Sequence, residues 1–496
     1  MLPLSVFSIN LVSSHLLLLL PLLVFVAVPL TKVGSRLGAP VLLLFLLLGM
    51  ACGADGLGIY YEDYHQAEAI GHFAMMIILF SSGLETSFRK TKPVLAQSIL
   101  LSTVGVFLMV LLTGTLIWLI SWPSAADSTP LLGCFLLAAI MASTDSASVF
   151  SVLRGKRLLL RERLAYQLEF ESGSNDPIAM VLTLVFVQSI QLVESASAST
   201  WYIIGHGIGF FLLQVAVGIA VGWVFSYAAI WSIRKIKLDS SPLFSIFVLS
   251  IGLLAGGLAT PLRGNSLLAI YVVALRIGNM EELPYRKDLV KLFSGMTWLV
   301  QLLMFLILGL LARPSQMPGV LIPACVIALL MIFVTRPLSV FLTLAPFRKM
   351  SFRAKAFTSW VGLKGAGPIL FALSPVVSGF GGSSQLFNVV FCVTLLSLVI
   401  QGMTLAPMAR WLKLSFDEDP EVETFGVEMP KEMGMLRDHI ITGEEFVLGN
   451  TLRDLSLPHG IRVVMVRRDG KYLVPHGSMA LQKGDHLLIV MGESDD

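Results

Sequence analysis

Apolar residues run through this chain in blocks too continuous for the amphipathic faces of soluble helices or strands. Leu16 to Leu30, Val41 to Met50 and Val326 to Val334 are three of them. Such blocks recur down to about residue 412, each within a segment near the ~20 residues a helix needs to cross a bilayer core. Taken in turn they predict helices over 10–30, 38–54, 68–88, 93–120, 131–153, 162–191, 201–231, 242–260, 265–280, 288–312, 318–345, 352–376 and 384–412. A spanning helix satisfies its own backbone polar groups, so the fold class is an all-α polytopic membrane protein of about thirteen transmembrane helices. After Lys413 the pattern changes. Residues 414–430 are charged and turn-rich, as in a linker, and 431–496 read as a small cytoplasmic α+β domain. There GEEFVLG and IRVVMVRR are strand-like, TLRDLSL between them reads as a short helix, Asp469-Gly470 marks a hairpin turn, and GDHLLIVMG supplies a further strand.

Composition supports the assignment to lipid: of 496 residues 55% are hydrophobic and only 14% charged, against about a quarter charged in ordinary soluble domains. The first apolar run has no basic leader and no small-residue cleavage site, which predicts a retained span and not a removed signal. The four cysteines, Cys52, Cys134, Cys325 and Cys392, lie in apolar stretches without CxxC spacing, which points to packing and away from disulfides or a metal cluster.

Charge then fixes orientation. Alternate connections hold twenty-two Arg and Lys residues, among them Arg89, Lys90 and Lys92, while the other set offers Arg263 and Arg313 together with Asp55, Glu62, Asp63 and Glu68. The basic set is expected on the cytoplasmic side, with the N-terminus outside, the C-terminus inside, and the protein in the cell's inner membrane.

Polar residues inside the spans cost enough to signal function. In helix 5, AIMASTDSASVF places Ser143, Thr144, Asp145, Ser146 and Ser148 among apolar neighbours and predicts a locally unwound segment whose freed backbone can face an ion. In helix 6, LEFESGSNDPIAM carries Glu169, Glu171, Ser172, Asn175, Asp176 and Pro177, with Ser172 and Asp176 one turn apart on one face. Helix 11 holds Arg336, and helix 12 holds Lys364 in the glycine-rich break of WVGLKGAGP. The two interrupted helices, 5 and 12, are seven spans apart and cross in opposite directions, as inverted repeats require, with helices 4 to 6 answering helices 11 to 13. Half-helix N-termini should then meet near Asp145 and C-termini near Lys364. Asp145 can be an ion ligand or a compensator of helix dipoles, and Glu85, in LFSSGLETSF, a site member or an interfacial residue. Arg336 and Lys364 read as structural partners of Glu171 and Glu169.

The Thr144-Asp145 pair, the ESGSNDP run with Asn175-Asp176, and WVGLKGAGP at their mutual spacing resemble the monovalent cation:proton antiporters of the NhaP and sodium/proton exchanger class, in particular its bacterial potassium/proton branch. The likeness covers nearly the whole chain. It implies a homodimer in which Asp176 is the exchanging carboxylate, Ser172, Thr144 and Asp145 contribute to the cation site, Asn175 is structural, Glu85 lies near the site, and Glu171 pairs with Arg336 and Lys364. The family usually has arginine where Lys364 stands and proline where Ser146 follows the Thr-Asp pair. The tail resembles the TrkA-type C-terminal domain, which regulates potassium transporters and channels. Its reading stays divided between a module that binds an unidentified ligand and a dimerisation or folding element. It lacks GxGxxG, so no dinucleotide is implied.

The substrates expected are H+ and K+, or Na+ in place of K+, exchanged electroneutrally because Asn175 and not a second aspartate precedes Asp176. No cofactor, transition metal or nucleic acid is called for, and lipid is the surrounding partner. A potassium channel or uptake subunit is the alternative, but no TVGYG-type filter is present. No HExxH or GxSxG suggests an enzyme.

Overall fold

The computed structural model describes residues 21–32, 40–121, 131–156, 158–194, 199–379, 381–417, 436–441, 450–455, 461–468 and 471–491. It divides into two compact units, Met1–Phe416 and Asp417–Asp496.

The first unit is helical. In chain order come α1 (Pro21–Lys32), α2 (Val41–Cys52), α3 (Tyr64–Glu85), α4 (Phe88–Ser121) and α5, which runs over Leu131–Ile140 and resumes as Ser146–Gly155. Next are α6 (Leu164–Glu194), α7 (Thr200–Ile236), α8 (Ser241–Ala259), α9 (Ser266–Gly278), α10 (Arg286–Leu311) and α11 (Pro318–Thr343). Then α12 covers Phe352–Trp360 and resumes as Ala366–Phe371 and Leu373–Val377, and α13 is Ser383–Trp411. Among the described residues eight helices are long and apolar enough to cross a membrane, and five shorter apolar helices stand where the other expected spans fall. The first residues of the expected helix 10–30 lie outside the described ones.

Both helices predicted to break do so, over residues 141–145 and 361–365. A second repeat-related feature was not expected: α4 and α11 each contain a π-helical turn, Leu101–Gly105 and Met331–Thr335, set equally far from the helix starts at Phe88 and Pro318. The two helices meet where Thr113 donates to the Thr335 hydroxyl at 2.9 Å. Small residues allow the closest approaches. A Cβ on Gly309 of α10 would stand 2.9 Å from the Gly49 Cα of α2, so these helices touch backbone to backbone. A short strand β1 (Leu158–Leu160) pairs with β2 (Ser415–Asp417), and Arg161 N–H donates to the Leu414 carbonyl at 2.8 Å. The start of the expected linker is therefore ordered by pairing.

The second unit is a four-stranded antiparallel sheet in the order β3 (Leu436–Ile440), β6 (His486–Met491), β4 (Ile461–Arg468), β5 (Lys471–Leu473). Its core holds Ile441, Leu455, Val466, Leu481, Leu487 and Ile489. IRVVMVRR and the strand within GDHLLIVMG fold as expected, whereas GEEFVLG and the Asp469-Gly470 turn lie outside the described residues. TLRDLSL does not start a helix in its described part. Leu452 N–H donates to the Met479 carbonyl at 2.9 Å and Arg453 N–H to Gly477 at 3.0 Å, so pairing with a distant segment outweighs local helix preference.

Candidate functional site

The two unwound segments cross, and the contact between them is backbone to backbone: Asp145 N–H donates to the Leu363 carbonyl at 2.9 Å. Only small residues permit this. A Cβ at Gly365 would stand 2.6 Å from Asp145 Cβ, and one at Gly367 2.8 Å from Ser143 Oγ.

Ending a helix frees its last carbonyls and starting one frees its first N–H groups, so a break in lipid must supply partners for both. Asp145 serves the second half of α5. Its carboxylate accepts from Ser148 N–H at 3.1 Å and from the Ser148 hydroxyl, an N-cap that also sets negative charge at the positive dipole end. Lys364 serves the first half: its ammonium donates to the Ser143 carbonyl at 3.0 Å, while its own N–H is taken by Ser397 Oγ of α13 at 3.0 Å. Ser397 in turn donates to Gln401 at 2.6 Å, which donates to the Trp360 carbonyl at 2.8 Å and so fastens the other break.

α6 lies against the first break. Ser172 Oγ accepts from Ser146 N–H at 3.1 Å and donates to the Thr144 carbonyl at 2.9 Å; Asn175 donates to Thr144 Oγ1 at 2.5 Å. One turn after Ser172, the Asp176 carboxylate accepts the Ser143 hydroxyl at 2.5 Å and is only 9% exposed. The Asp145 and Asp176 carboxylates, the Thr144 carbonyl and the hydroxyls of Ser143, Thr144 and Ser172 thus gather within a few contacts of one another. All are hard oxygen donors, the kind unwound transporter helices turn toward alkali cations and protons. Among the described residues no group of three or more His, Cys, Asp or Glu could hold a metal ion of another kind.

Glu171 and Arg336 form an ion pair at 2.6 Å, with side chains 2% and 3% exposed. Lys364 does not join it. Its ammonium is occupied by a backbone carbonyl that the unwinding exposed, so direct pairing of Lys364 with Glu171 or Glu169 is replaced by capping of α5. Of the two readings of Glu85, its position agrees with the interfacial one and not with membership of the site. It sits exposed at the C-terminal end of α3, accepting from Ser81 at 3.3 Å and from Ser294 of α10 at 3.0 Å, and none of these contacts is with the Asp145–Asp176 cluster. Sequence reasoning gave no place to Ser397 and Gln401. Their signal was two hydrogen-bonding side chains one turn apart on α13, a helix that also carries Asn388, Thr394 and Thr404.

Residues 22–411 match the family model described as sodium/hydrogen exchanger, transmembrane, and residues 442–495 match the TrkA-C domain. Among curated relatives, the K(+)/H(+) antiporter NhaP2 of Shewanella oneidensis is 36% identical over 95% of this chain and 80% of its own. The K(+)/H(+) antiporter NhaP of Alkalimonas amylolytica is 34% identical over 97% and 81%, and the Na(+)/H(+) antiporter NhaH of Halobacillus dabanensis 27% over 79% and 96%. The fold is shared with the sodium proton antiporter MjNhaP1 of Methanocaldococcus jannaschii at a TM-score of 0.68, with 22% identity over 82% of this chain and 99% of that one. Crossed broken helices, the carboxylate of α6 lodged against them and a family match across the membrane unit agree: the chain belongs to the transmembrane sodium/hydrogen exchanger family and carries a TrkA-C domain.

Proposed function

We propose that this antiporter exchanges K+ for H+ at the Asp176 carboxylate by alternating access. The observation that carries the reading is the placement of Asp176 against the crossing of two broken helices, bonded to Ser143 of one of them. A carboxylate in that setting holds either a proton or a cation freed of part of its water, and competition between the two couples their movements. Ser172, Thr144 and Asp145 supply further oxygens, Asn175 holds Thr144 in place, and Glu171 with Arg336 anchors α6 to α11. Names of relatives at 34–36% identity support potassium as the cation. One carboxylate next to Asn175 supports a one-for-one, electroneutral exchange. The basic connections support an inner-membrane protein with its C-terminus in the cytoplasm, and the family resemblance supports a homodimer embedded in lipid, whose TrkA-C domain binds an unidentified ligand or serves dimerisation. A channel subunit finds no support in the family match.

The test is cation-dependent proton movement in everted membrane vesicles, scanning K+, Na+, Rb+ and Li+. Wild-type protein dissipates a proton gradient on addition of K+, and Asp176→Asn does not although it inserts and folds. An Asp176→Asn protein that still exchanges would overturn the assignment.

A further inference from the structure

A second pair of titratable side chains lies inside a span. Glu68 and His72 stand one turn apart on α3, within a helix apolar enough to cross the membrane. Both line a cavity of about 20 Å³, room for about one water molecule. Its opposite walls include Met180 and Thr183 of α6 and Leu370 and Ser374 of α12. Met180 and Thr183 follow Asp176 by one and two turns on the same face of α6, a rise of ~10 Å to Thr183. The cavity therefore lies along the Asp176 face, toward the C-terminal end of α6 and away from the basic connections. It adjoins the crossing from the second helix too, since Leu370 belongs to the half of α12 that begins just after the break.

The chemistry of the pair suits proton transfer. One ring nitrogen of His72, Nε2, meets the Ser266 hydroxyl of α9 at 2.8 Å, which leaves Nδ1 to exchange a proton. Glu68 has no hydrogen bond or ion pair among the described residues and is half-buried. Among the described residues, those that line the cavity opposite the pair or bond to it carry no charge: Met180, Thr183 and Leu184 of α6, Leu370, Phe371 and Ser374 of α12, and Ser266 of α9. On α3 itself His65 precedes Glu68 by one turn, toward the helix start. Thr183 and Ser374 add hydroxyls that can orient a water between the walls.

We propose that Glu68 and His72 are the outward proton port of the exchanger, through which protons leave and reach Asp176. This rests on the reading of Asp176 as the exchanging carboxylate. When Asp176 gives up its proton, water entering along the Asp176 face of α6 carries it to the cavity, and the cavity water passes one to His72 Nδ1 or to the Glu68 carboxylate, which releases it to the outer solution. One proton leaves Asp176, one enters bulk water, and a cation takes the vacated carboxylate.

The test compares two modes of the full-length protein in proteoliposomes: K+/H+ exchange, which needs the port, and exchange of radioactive Rb+ for K+, which moves no proton. The expected result for Glu68→Gln/His72→Gln is K+/H+ exchange slowed about tenfold or more, with its dependence on outer pH flattened, and Rb+/K+ exchange left near wild type. Glu68→Asp, which keeps a carboxylate, restores K+/H+ exchange when introduced in place of Glu68→Gln. Equal loss in both modes would mean a structural contact and overturn the port, as would no loss in either. Failure of the antiport reading shows separately, as wild-type protein without K+/H+ exchange, and would remove the port with it.

Discussion

The Glu171–Arg336 pair offers a sharp test of how far the site is sealed from water. Both side chains are almost fully buried and meet through one contact at 2.6 Å, with Glu171 Oε2 and Arg336 Nε making no hydrogen bond among the described residues. Removing one partner strands the other charge, and for buried pairs that costs about 3–5 kcal/mol. Glu171→Gln and Arg336→Met should each destabilise by that order, while the double variant, which strands nothing, should lose much less. The structure also orders the singles. Arg336 and Lys364 line the same small cavity, so in Arg336→Met the Lys364 ammonium can turn toward Glu171, whereas in Glu171→Gln the Arg336 guanidinium loses its carboxylate and no second one is bonded to it among the described residues. Arg336→Met is therefore the milder change. Detergent-solubilised membrane proteins often unfold irreversibly, so the assay is the half-life of folded full-length protein at a fixed temperature. A loss of 3 kcal/mol carried by the unfolding barrier shortens that half-life by about two orders of magnitude. Singles within about threefold of wild type, or a double no better than the worse single, would refute the argument that the pair is desolvated.

Other outcomes follow from local geometry. Gly365→Ala should abolish exchange with the protein still folded, because its methyl would press on Asp145 and part the Asp145–Leu363 contact; transport by purified protein in liposomes checks it. Gly309→Ala should destabilise the membrane unit by about 1–3 kcal/mol by forcing α2 and α10 apart, seen as a shorter folded half-life with the cation affinity of surviving protein unchanged. In the C-terminal unit burial pushes the Asp485 carboxyl up, but hydrogen bonds from the Arg468 side chain and Gln482 N–H outweigh it and hold the group below the ordinary carboxylate range. A depressed folded value contributes stability above the unfolded value, about 3.9, that is lost as pH falls through the folded one. Asp485→Asn should thus make this unit more protease-sensitive at pH 7, and its difference from wild type should shrink below about pH 4.

What could be read from the sequence was whatever lipid makes expensive. Serines, an aspartate and glycines inside apolar blocks announced the breaks in α5 and α12, and the charges of Glu169, Glu171, Arg336 and Lys364 announced that partners were needed, though which acid meets which base was not legible from charge. What could not be read was set by groups created only on folding. The Ser143 carbonyl becomes an acceptor when α5 unwinds, and it takes Lys364 from the carboxylates that charge alone would assign. The π-helical turns of α4 and α11 carry only small signals, Gly105 at the end of one and Pro337 two residues after the other, and such residues also occur in unbroken helices. Glu85 was drawn toward the site by resemblance, but its end of α3 packs with Ser294 of α10. In the tail, the segment at Thr451 has helix-compatible residues, but its partners at residues 477–480 hold it as a bridge followed by a turn.

The crossing of the two breaks also constrains the order of assembly. α5 enters the membrane early, with a carbonyl and an aspartate freed at mid-helix, yet the groups that meet them, the Lys364 ammonium and the Leu363 carbonyl, are synthesised more than two hundred residues later. Until α12 arrives, the break in the first repeat is met by Ser148 of α5 itself and by Ser172, Asn175 and Asp176 of α6, while the Ser143 carbonyl and the Asp145 N–H still lack their partners from α12. A nascent chain stopped after Thr343 would thus lack every group of α12 and α13 that meets the two breaks, so the crossing can form only once the last two helices are in place.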